Sequence, residues 1–156
     1  MVEIVDKMRS MVRLEEDNAS SLTASVEGLK NVVVREILRG IAHDSRKHAG
    51  LYAAILSLLK DSQPAISEDE YGRLEGVLKK HVEVERQMLR EVKQFLEVEK
   101  DSRVKRLLLE IYEDEGRHHA LMSHLLEAVI KREAIFEKDI WDMLWMDVPG
   151  HGAPLG

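Results

Sequence analysis

The chain has 156 residues, of which 44% are hydrophobic and 33% charged, with three prolines, nine glycines and no cysteine. That length suits one domain with a real core, and the composition suits long amphipathic helices. The absence of thiols excludes disulfides, zinc knuckles and iron–sulfur ligation, so any metal must be held by Glu, Asp and His. The net charge of −6 and the pI near 5.7 argue against a nucleic-acid partner, which calls for a basic stripe.

The first residues, Met1 to Asp6, place acids where a secretory signal needs a basic region. No stretch approaches the roughly 18 uninterrupted apolar residues of a membrane span. A soluble, cytoplasmic protein is expected, with no membrane or nucleic-acid partner.

From Val2 to about Gly28 the apolar residues recur at three- and four-residue steps (Ile4, Met8, Met11, Val12, Leu22, Val26), which is the helical period. Gly28 and Asn31 supply a stop and a start. A second helix then has Val34, Ile37, Leu38, Ile41, His48, Leu51, Ile55 and Leu59 on its expected buried side, and so short a connection makes the two antiparallel neighbours. Asp61-Ser62-Gln63-Pro64 breaks that helix, and Ser67 with Glu70 has the form of a capping box.

A third helix ends near Glu99, and a fourth runs from the N-cap candidate Asp101 to about Arg132. Residues 135–146, with Phe136, Trp141 and Trp145, predict a short fifth helix, followed by a Gly- and Pro-rich tail. The expected organisation is an all-α four-helix bundle over 1–133, an accessory helix over 134–147 and a tail over 148–156.

An internal repeat runs through the chain at an offset of seventy residues. Val12 matches Val82, Glu15 matches Glu85, and Asn31 matches Asp101. Without a gap, Ile41 matches Ile111, Asp44 matches Asp114, Lys47 matches Arg117, His48 matches His118 and Leu51 matches Leu121. Apolar matches alone could reflect a shared helical period. The matched Glu, Asp and His in one register make the two halves the same helical hairpin written twice.

The fourth predicted helix contains Asp114-Glu115-Gly116-Arg117-His118. Glu115 and His118 are one turn apart and about 60° from each other around the helix, so both can reach one ion. Inward-pointing carboxylates with a Glu-x-x-His on facing helices form the ligand set of di-iron and di-manganese bundles. Glu15, His48, Glu85, Glu115 and His118 fill five of the six positions of that set.

On these residues the chain resembles the ferritin-like superfamily, nearest its small rubrerythrin-like members, over roughly Val2 to Arg132. The resemblance implies a ferritin-like four-helix bundle in which Glu15, His48, Glu85, Glu115 and His118 bind metal. It also implies that Asp114 orients a ligand histidine. The second helix departs from the pattern, because Ser45 stands where the family has its second bridging Glu.

Asp44 or Asn18 could supply an oxygen in its place, and His81, one turn before Glu85, could act near the mouth of the site. A weakened, asymmetric site with one ion held more firmly than the second is therefore expected. The donors suit iron or manganese, as one or two ions, with zinc as a substitute.

The implied activity is a non-haem peroxidase or oxidase, served by a separate electron donor because the chain has no rubredoxin-type thiolates of its own. A homo-oligomer, dimer or higher, is expected. The competing reading is a metal-free or mono-metal structural bundle that has lost the chemistry. A hemerythrin-like site would need more histidines at helical steps, and no feature points to an iron-storage shell. Lys47, Arg117, His43, His119, His124 and His151 read as surface or ion-pairing groups.

In a ferritin-like bundle the second and third helices run parallel. With the third starting at Glu68, the link between them would need roughly 43 Å, whereas seven residues reach at most about 25 Å. A break between Ser67 and Gly76 is therefore expected.

Overall fold

In the computed structural model, residues 2–60, 65–132, 145, 146 and 148 are described. They form four helices: α1 (Val2–Ser25), α2 (Val32–Lys60), α3 (Glu68–Val98) and α4 (Ser102–Ile130). No strand occurs among them, and no helix is long and apolar enough to cross a membrane. The chain divides into two compact units, Met1–Pro64 and Ala65–Gly156. In the first, α1 packs on α2; in the second, α3 packs on α4.

Each hairpin turn follows from local chemistry. Gly28 adopts φ 74°, a left-handed conformation open to glycine at little cost. The Asn31 side chain then accepts a hydrogen bond from the Val34 amide at 3.1 Å, the N-cap that starts α2. In the second hairpin, the Asp101 carboxylate accepts from the Arg103 amide at 2.8 Å and starts α4. At the far end of that hairpin the Arg132 guanidinium lies 5.0 Å from the centre of the Tyr71 ring and 3.4 Å from Glu68, tying the end of α4 to the start of α3.

Within each hairpin the protected side chains step alternately by three and four residues, a 3.5-residue seam of the coiled-coil kind. The seam of α1 includes Val5, Met8, Val12, Glu15, Ala19, Leu22 and Val26, and that of α2 includes Leu38, Ala42, Ser45, Ala49, Tyr52 and Leu56. In α3 it runs through Tyr71, Leu78, Val82, Glu85, Leu89, Val92 and Leu96. In α4 it runs through Leu108, Tyr112, Glu115, His119, Met122, Leu126 and Val129. Every seam position from Val12 to Val26 and from Leu38 to Leu56 has its mate seventy residues later, so the repeat seen in sequence is also a repeat of burial.

Two expectations need correction. Val34, Ile37, Ile41, Leu51, Ile55 and Leu59 on α2 are exposed rather than buried. The seam falls one residue later, on Ala42, Ser45 and Ala49, whose small side chains allow the close approach of α1. The expected break in the third helix is absent, for α3 is continuous from Glu68 to Val98. The reciprocal capping box of Ser67 and Glu70 fixes its start, and Gly72 and Gly76 sit within the helix without interrupting it. The predicted fifth helix lies mostly outside the described residues; of its neighbourhood only Trp145, Met146 and the buried Val148 are described.

Candidate metal centre

The two halves of the repeat place their polar seam residues at the same level and treat them differently. In the second hairpin Glu85 and Glu115 are half-buried seam residues of α3 and α4, and His118 projects beside them, one turn beyond Glu115. One ligand atom from each of Glu85, Glu115 and His118 lies within 4.8 Å of the other two. The His118 Nδ1 is 3.9 Å from Glu115 Oε2. Among the described residues these three are the one group of three or more His, Asp and Glu side chains whose ligand atoms come this close together.

The electrostatics of the group point the same way. Burial, hydrogen bonding to Glu115 and the Glu115 charge together raise the Glu85 carboxyl from 4.5 to about 7. Two carboxyl groups this close resist ionising together unless a cation is present. The Glu85 Oε2 atom is buried and meets no hydrogen-bond partner, an arrangement that native proteins rarely tolerate without a further ligand, water or ion.

In the first hairpin Glu15 and His48 pair with one another, the His48 Nδ1 standing 3.4 Å from Glu15 Oε1. Ser45, only 4% exposed, accepts a hydrogen bond from the Asn18 amide at 2.8 Å. Asn18 is thus engaged in satisfying Ser45, the residue that stands at the Glu115 position of the repeat.

The sequence pattern puts Asp44 and Asp114 beside the ligands, Asp114 as the acceptor that orients a histidine. In the structure the Lys47 ammonium is 2.6 Å from Asp44, and Arg117 pairs with Asp114 along α4. Helical spacing explains both, since groups three apart share a face. His81 is exposed on α3 and stands outside the group formed by Glu85, Glu115 and His118.

Sequence reasoning missed His119, which reads there as a surface residue. It is half-buried in the seam of α4, and its Nδ1 is buried without a hydrogen-bond partner. Its four-residue spacing from Glu115, a seam step, was the available signal. Comparison with known proteins identifies no relative: no family model matches the chain, and no curated protein or solved structure matches it.

Proposed function

We propose that this chain is a ferritin-like carboxylate metal protein, its described hairpins being elements of a four-helix bundle, with iron or manganese held by Glu85, Glu115 and His118. The observation that carries the reading is the convergence of these three side chains around a buried carboxylate oxygen without a partner. The residues fit such an ion. Two oxygen donors and one imidazole suit iron or manganese, and zinc could replace either.

Within the proposed site the roles follow from chemistry. Glu85 and Glu115 hold the ion and offset its charge, and binding displaces the proton that Glu85 otherwise retains near neutral pH. His118 binds as the neutral imidazole. Glu15 and His48 are the corresponding groups of the first hairpin, one carboxylate short because of Ser45, which makes the ligand supply of the chain asymmetric. Bound iron would supply peroxidase- or oxidase-type redox chemistry, the activity implied by the rubrerythrin-like resemblance, with electrons from a separate donor protein.

The second reading, a structural bundle without metal, is favoured by the mutual pairing of Glu15 with His48 and of Asn18 with Ser45, which leaves the first hairpin satisfied as it stands. Metal analysis after purification without added metal decides between them. The proposal expects iron or manganese near one equivalent per chain, and Glu115→Ala is expected to remove most of it. Protein free of metal that also fails to take up added Fe²⁺ or Mn²⁺ would establish the structural reading.

A further inference from the structure

The second hairpin holds one complete half of a two-ion ligand set, and the first hairpin does not. A di-metal carboxylate bundle uses a Glu from each of two helices and a Glu-x-x-His from each of two others. Glu85 on α3 with Glu115 and His118 on α4 is half of that set. In the first hairpin the matching position is the buried Ser45, already bonded to Asn18.

Two copies of the second hairpin would supply all four glutamates and both histidines. We infer that two copies of this chain associate through the apolar face of the α3–α4 hairpin, so that Glu85, Glu115 and His118 of each copy close one symmetric two-ion site. The inference rests on the metal-binding reading and names the partner that completes that site.

The hairpin has the two-sided character this requires. In an antiparallel helix pair, residues just before the seam positions lie on the same side of both helices. On α3 these include Val77, Val84 and Phe95, and on α4 Leu107 and Ile111, all exposed. The residues just after the α3 seam are Lys79, Glu83, Arg86, Arg90 and Lys93, so on α3 the opposite side is suited to water, while the first side presents exposed apolar groups of the kind that mark an interaction surface.

His118 stands on the apolar side, its side chain 61% exposed, so its nitrogen is presented at the surface that a second copy would cover. The matching positions of the first hairpin carry Lys7, Asn18, Ser21 and Ser25 on α1 beside the exposed Ile4 and Leu14, and the exposed Ile37, Ile41, Leu51 and Ile55 on α2.

Symmetry and charge commit the face to a second copy. A two-fold contact repeats each residue's surroundings on both sides, so an axis at the level of Glu85 and Glu115 brings the two half-sets together. Two divalent ions then balance four carboxylates, whereas four carboxylates without ions repel. Association is therefore coupled to metal.

Sedimentation equilibrium of the full chain, with Mn²⁺ alone or with chelator, joined to Mn²⁺ titration, tests this. The expected result is a dimer in Mn²⁺ holding about one ion per chain and a shift toward monomer in chelator. Leu107→Glu on α4 and Val84→Lys on α3 should each give a helical monomer, checked by circular dichroism, with Mn²⁺ affinity reduced roughly tenfold or more although no ligand has changed. Using two helices keeps the test decisive if one variant fails to fold.

A monomer that binds Mn²⁺ as tightly as the parent overturns the inference and leaves the metal reading intact. So does a loss of affinity in His48→Ala equal to that in His118→Ala, which would give the second half-site to the first hairpin. A parent chain that binds no Mn²⁺ overturns both.

Discussion

Glu85 combines seam burial with a neighbouring carboxyl, and the two together decide how its charge depends on pH. Its carboxyl titrates near 7 in the folded chain against 4.5 ordinarily, so the fold favours the protonated form. The stability this confers is complete below about pH 4.5 and falls as pH rises toward 7. Metal-free Glu85→Gln, which keeps the shape without the charge, is expected to melt above the parent at pH 8 and to lose that advantage at pH 4. Thermal denaturation at the two pH values in chelator checks this.

Metal binding has the opposite sign. It requires ionised glutamates and neutral His118, so affinity should fall on acidification from pH 7.5 to 5. Affinity unchanged over that range, measured by Mn²⁺ titration, would point away from these ligands. Ser45→Glu gives the first hairpin the carboxylate pair that Glu85 and Glu115 form in the second, and removes the bond that Asn18 makes. The metal-free variant should be less stable than the parent by roughly 1–3 kcal/mol at neutral pH, the cost of burying a group that lacks a partner. In titration it should show added Mn²⁺ uptake; uptake equal to that of the parent would show that position 45 is not a ligand position.

At the scale of the helices, end signals and seams behave differently. Ser67 caps α3 from both directions: its hydroxyl accepts from the Glu70 amide at 3.3 Å, and its own amide donates to the Glu70 carboxylate at 2.8 Å. Ser67→Ala is expected to lower stability by about 1 kcal/mol, read from chemical denaturation at pH 7. The cap is legible in the sequence because its chemistry is local, needing two residues at a fixed spacing.

The continuity of α3 is harder to read. A parallel crossover demands a break near Gly72 and Gly76, but local propensity prevails, since an isolated Gly inside a helix costs only about 1 kcal/mol and does not end it. The seam escapes the sequence for a related reason. Apolar residues on α2 cover a wide arc, and periodicity alone does not say which edge of that arc meets α1.

For the whole chain, the repeat is the fact from which the rest follows. The four described helices, the turns marked by Gly28 with Asn31 and by Asp101, and the level of Glu15, His48, Glu85, Glu115 and His118 along their helices were all set by sequence spacing, because the helical rise is fixed and the two halves share one ungapped register. Tertiary packing decided what spacing could not. It placed Glu85 and Glu115 in the α3–α4 seam, where burial and mutual repulsion raise a carboxyl to about 7, and it placed Ser45 in the α1–α2 seam with Asn18 as its partner. It also drew Asp44 and Asp114 to Lys47 and Arg117. Those outcomes depend on which side of each helix meets its neighbour, a choice made by the fit of side chains across the seam and by competition among nearby charges, neither of which is written in the period of a single helix.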